Sequence, residues 1–98
     1  MIAVSDDELK IIKDILQSNV PDCKVKVFGS RIKGTFEQNS DLDLAIIGNG
    51  KLGFSKIGEL KLSFEESDLP FRVDVLDYNS ISQNFRNIID RDFQNIVF

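Results

Sequence analysis

Three short segments of this chain change side-chain character with a period of two: Lys24–Phe28 (KVKVF), Asp41–Ile47 (DLDLAII) and Phe71–Leu76 (FRVDVL). A pleated strand sends successive side chains to opposite faces, so each segment reads as a strand with one face for a core. Around them the spacing becomes helical. From Asp6 to Ser18, Leu9, Ile12, Ile15 and Leu16 recur on one side, Ser5 and Glu8 form a capping-box pair, and Pro21 lies beyond the end. A short helical turn is predicted from Arg31, followed by the polar loop TFEQNS. GNGKLG then leads into a loosely patterned helix over Phe54–Glu66, which Asp68-Leu69-Pro70 stops. Ser80 is placed to cap a last helix over Ile81–Asp90, and NIVF reads as a short terminal strand. This order predicts an α/β or α+β layer with helices covering a small sheet, and 98 residues suit a single domain over 1–98.

Composition narrows the chemistry. With 42% hydrophobic and 29% charged residues the chain reads as globular, and no run of about 18 apolar residues suggests a membrane span. MIAVSDDELK lacks the pattern of a signal peptide and Cys23 stands alone, so a reducing cytoplasm is the expected setting. The net charge of −4, without a stripe of Lys/Arg and aromatics, argues against a DNA or RNA template, although a single nucleotide remains compatible. There is no histidine, which excludes Ser-His-Asp triads, Cys-His dyads and His-ligated zinc. Carboxylates, hydroxyls, Lys/Arg or a metal must carry any reaction.

The second strand opens with an electrostatic cost. Asp41 and Asp43 share one pleat face and repel unless something cationic sits between them. Arg72, Asp74 and Leu76 share a face of the third strand, so if the two strands are neighbours, three carboxylates converge at one end of the sheet. Oxygen-only donors suit Mg²⁺ or Mn²⁺, which leave coordination positions open for phosphate and water. The plainer alternative is a set of solvated strand-end aspartates. Upstream, Gly29-Ser30 ends the first strand and opens a helical turn whose backbone N–H groups and hydroxyl can face an anion; an ordinary capped turn is the competing reading.

Gly29-Ser30, the ten residues Arg31 to Ser40, and Asp41-Leu42-Asp43 in the context SDLDLAI, with Asp74 in RVDVLD, resemble the signature of the nucleotidyltransferase superfamily of the DNA polymerase β type, in particular its minimal single-domain members. The likeness extends from the first helix to NIVF. It implies a mixed β-sheet flanked by helices, with a triphosphate held near Gly29 and Ser30. Two divalent ions, Mg²⁺ or Mn²⁺, would be held by Asp41 and Asp43, and Asp74 would join them at the ion that activates the acceptor hydroxyl. The implied reaction is attack on the α-phosphate of a nucleoside triphosphate, expected to be ATP, with pyrophosphate leaving.

Arg31 and Lys33 follow the turn and are counted as nucleotide-binding candidates, against the alternative of a solvated helical face. Arg72 is expected either to pair with Asp74 or to cover the sheet edge. Cys23 and Tyr78 are read as structural. The chain shows no stretch for an acceptor domain, so the acceptor is expected on a partner. Minimal nucleotidyltransferases of this kind pair with helical HEPN-type proteins as antitoxin and toxin and can transfer AMP to a toxin tyrosine; SDLPFRVDVLD is similar to that group. The resemblance thus implies a hetero-oligomer whose acidic chain meets a basic partner. The rivals are a non-catalytic antitoxin that blocks its partner and a small-molecule nucleotidyltransferase of the aminoglycoside-modifying type.

Overall fold

The computed structural model describes residues 2–34, 37 and 40–98. Its elements follow in the order α1 (Asp6–Asn19), β1 (Lys24–Phe28), α2 (Ser30–Lys33), β2 (Leu42–Ile47), α3 (Gly53–Glu65), β3 (Val73–Asp77), a 3₁₀ turn (Tyr78–Ser80), α4 (Gln83–Arg91) and β4 (Gln94–Ile96). The predicted capping box forms: Glu8 N donates to Ser5 Oγ at 3.1 Å and Ser5 N to Glu8 Oε1 at 2.8 Å. Two orphan donors at the start of α1 are thereby satisfied. Most of the TFEQNS loop lies outside the described residues.

The four strands make one mixed sheet in the order β3-β2-β1-β4. β1 runs antiparallel to β2 and to β4, while β2 and β3 are parallel. Parallel neighbours need a crossover, and α3 supplies it. In register, Val27 faces Leu44 and Leu44 faces Val75, so the apolar halves of all three alternating segments fall on one side. Ile12 and Leu16 of α1 and Leu60 and Phe64 of α3 close over that side to make the core.

The opposite side carries Lys26 and Phe28 of β1, Asp43 and Ala45 of β2, and Asp74 of β3. α4 covers part of it: Phe85 meets Phe28 edge-on with ring centroids 6.1 Å apart, and Asp90 pairs with Lys26 at 2.7 Å. The end of this side that holds the aspartates is left open, which is what positions the site.

Two expected boundaries need correction. The last helix begins at Gln83 and is capped by Ser82, whose Oγ accepts from Phe85 N at 3.1 Å. Ser80 instead closes the 3₁₀ turn, donating to Asp77 Oδ2 at 2.8 Å. Asp77 also accepts from Asn79 N and Leu52 N, so its nearly buried carboxylate draws the turn that follows it around itself. The third strand starts at Val73, because Phe71 turns into the core and stacks under Arg31. Among the described residues no helix is long and apolar enough to cross a membrane.

Candidate active site

The parallel register of β2 and β3 sets Asp43 directly opposite Asp74, and the antiparallel register of β1 and β2 sets Phe28 opposite Asp43. The chain leaves β1 at Phe28 and must turn at once. Gly29 does this with φ +86°, a conformation that side-chain-bearing residues rarely adopt. A second reason for glycine lies across the ladder: a Cβ at position 29 would run into Asp43 Oδ2, with Asp43 Cγ only 3.2 Å away. The backbone of the predicted phosphate turn and the middle carboxylate are therefore in contact. Gly29 O then accepts from Ile32 N at 3.2 Å and Lys33 N at 3.3 Å, and Gly34 ends the short helix in the left-handed region.

The three aspartates have unequal surroundings. Arg72 Nη2 donates to Asp74 Oδ1 at 3.0 Å, and its Nε lies 3.9 Å from Asp41 Oδ2. Bonding to Asp74, then the charges of Asp74 and Asp41, raise the guanidinium's pKa. Asp43 shares none of this cation. Burial first, and then the charges of Asp74 and Asp41, push its carboxyl up to about 6. A half-buried carboxylate flanked by two others is in want of positive charge.

Arg31 points inward. Only 4% of the residue is exposed, whereas a phosphate ligand should face the open end of the sheet. Its Nη1 donates to Ala3 O at 2.7 Å, its Nε to Ser40 O at 2.9 Å, and the guanidinium lies 4.0 Å above the Phe71 ring. It ties the N-terminal segment, the residue before Asp41 and the approach to β3 together, and so braces the carboxylates from behind. Lys33 is exposed and Ser30 half-buried beside the turn. Lys51 and Lys56 are also exposed.

Neither the span of Arg72 across two aspartates nor the wall that Phe85 makes beside Phe28 is evident from the sequence. The first needs strand pairing to be known. The second had a signal, because Phe85 and Ile89 lie four apart on a helix following β3. A cleft of about 460 Å³ opens along β3 next to Asp74 and Arg72, with Phe64, Leu69 and Phe71 among its apolar walls and Lys61 and Glu65 at its rim.

The donor set fits a hard divalent cation. It is oxygen-only and gathered at one sheet end, it contains a carboxyl starved of positive charge, and a guanidinium stands in as the cation between the other two. In the present rotamers no three acidic, Cys or His side chains among the described residues enclose a metal-sized point.

A mixed sheet with carboxylates meeting across β2 and β3 and a glycine turn against the middle one is the arrangement expected of a nucleotidyltransferase. Comparison with known proteins agrees: residues 10–97 match the family "Polymerase beta, Nucleotidyltransferase". The chain belongs to this family. It is 52% identical over 86 residues, 88% of this chain and 75% of the other, to the "Probable protein adenylyltransferase MntA" of Haemophilus influenzae. Among solved structures it resembles a toxin-antitoxin crystallised with AMP-PNP, at 27% identity and TM-score 0.76 over 89% of this chain and 70% of that one. It also resembles a mutant of the toxin-antitoxin MntA-HpeT, at 28% identity and TM-score 0.74 over 96% and 72% of the two chains.

Proposed function

We propose that this nucleotidyltransferase moves AMP from ATP to a hydroxyl of a helical HEPN-type partner protein, and that it serves as the antitoxin of that pair. The observation that carries the reading is the register Asp43–Asp74 with the Gly29 backbone against Asp43, which sets a turn suited to phosphate beside paired carboxylates. The choice of AMP and of a protein acceptor rests on the likeness to the Haemophilus adenylyltransferase. The toxin-antitoxin complexes support the choice of partner.

Asp41, Asp43 and Asp74 would hold two divalent ions, which when bound supply charge neutralisation at the triphosphate and lower the proton affinity of the acceptor hydroxyl. The acceptor oxygen bonds to the α-phosphorus, the bond to the bridging oxygen breaks, and pyrophosphate leaves. The chain's own part is alignment. Gly29 lets the turn approach Asp43 closely, with Ser30 and exposed Lys33 on the side where the phosphates lie. Arg31 holds residue 40 and Phe71, and with them the strand ends that carry Asp41 and Asp74. Phe28 and Phe85 form an apolar wall beside Asp43 that limits water at the reacting end. The cleft next to Asp74 gives the acceptor side chain a way in.

The test combines the protein with labelled ATP, Mg²⁺ and the product of the neighbouring gene. Label should pass to that partner and disappear with Asp41→Asn or Asp43→Asn. No transfer with any of the four nucleotides would sink the proposal. If Asp43→Asn neutralised the partner in cells as well as the wild type does, binding alone would carry the antitoxin role.

A further inference from the structure

Arg72 stands at the head of β3, two residues before Asp74. Its carbonyl accepts from Leu42 N at 2.9 Å, which brings its backbone alongside the start of β2. From there one guanidinium reaches Asp74 at 3.0 Å and Asp41 at 3.9 Å. The side chain is 74% exposed, so these two carboxylates, rather than packing, hold it in place. A guanidinium satisfies carboxylates by a planar fork of N–H donors, while a hard cation needs the same oxygens turned inward around a point. Both cannot hold Asp41 and Asp74 in full, and two cations at that distance repel.

We infer that Arg72 is an internal counter-ion that competes with a divalent cation for Asp41 and Asp74: the cation displaces it, and the incoming triphosphate then takes over the released guanidinium. Arg72 is thus a positioning residue that makes cation and nucleotide load together. A cation alone leaves the guanidinium without a partner, whereas a cation with nucleotide brings an anion for it. Linkage requires the coupling to be reciprocal, so nucleotide tightens the cation as much as the cation tightens nucleotide. The inference rests on the nucleotidyltransferase reading, from which it takes both ligands.

The experiment measures Mn²⁺ binding by the paramagnetic resonance signal of the free ion, with and without AMP-PNP, in wild type, Arg72→Gln, Arg72→Lys and Asp43→Asn. Exposed ion pairs each change an equilibrium constant by a factor of about two to five. With two such pairs released, Arg72→Gln should therefore bind Mn²⁺ alone about four- to twenty-five-fold more tightly than wild type. The tightening by AMP-PNP should shrink by a similar factor, and Arg72→Lys should fall between. Unchanged or weaker Mn²⁺ binding in Arg72→Gln overturns the inference, as does tighter binding with the nucleotide effect intact. Saturable wild-type binding that Asp43→Asn removes keeps the metal reading standing in either case. If wild type bound no Mn²⁺, that reading would fail and the inference with it.

Discussion

Asp43→Asn should stabilise the metal-free protein while destroying its activity. The folded carboxyl has a pKa of about 6 against 3.8 in a water-like setting, with burial as the first cause and Asp74 and Asp41 after it. Between these values the folded chain holds a proton that the unfolded chain has released. The contribution of this group to stability is therefore largest below pH 3.8, falls as pH rises toward 6, and stays lower above it. Taken at face value the difference in pKa corresponds to a ceiling of about 3 kcal/mol. The group is half-exposed and water screens its neighbours, so about 1 kcal/mol is the reasonable expectation. Asparagine keeps the shape and removes the charge. In EDTA at pH 7.5, Asp43→Asn should melt about 4–8 °C higher than wild type, the shift that 1 kcal/mol makes in a domain of this size. At pH 4 the two should melt together. Mg²⁺ with nucleotide should raise the wild-type melting temperature and leave the variant unmoved. A variant no more stable than wild type at pH 7.5, or equally favoured at both pH values, would refute the electrostatic reasoning.

Two further substitutions probe the scaffold. Gly29→Ala forces an alanine into a left-handed conformation and its methyl into the Asp43 carboxylate. It should cost about 1–2 kcal/mol in urea unfolding and abolish AMP transfer; full activity would mean the close approach of turn and carboxylate is dispensable. Asp77→Ala removes the acceptor for Leu52 N, Asn79 N and the Ser80 hydroxyl. Leaving those donors unpaired should cost about 2–4 kcal/mol and speed amide exchange at Leu52 and Asn79, while Mn²⁺ affinity stays as in wild type.

Much of this architecture is legible in the chain. KVKVF forms β1 with both boundaries as read, because five alternating residues between a turn and Gly29 leave a strand little freedom. Ser5 and Glu8 place the start of α1 for an equally local reason. Where two local signals were equivalent the reading slipped. Ser80 and Ser82 have the same capping chemistry, and the choice fell to Asp77, whose nearly buried carboxylate claimed Ser80 for the 3₁₀ turn. The inward turn of Arg31 was less legible still: in a helix of four residues there is no periodicity to show which side faces inward. What turned it inward is Phe71, forty residues away, together with the carbonyls of Ala3 and Ser40.

The same division runs through the site. Gly29-Ser30 and the aspartates 41 and 43 were visible because spacing along one strand fixes which side chains share a face. That Asp43 meets Asp74, that Arg72 serves Asp41 and Asp74 while Asp43 goes without a cation, and that Asp43 is driven toward its protonated form were not visible. Face and charge are properties of a short stretch of backbone, set by sterics within a few residues. Register, burial and the field at one carboxylate sum over groups that meet only when α3 has carried the chain back to lay β3 beside β2.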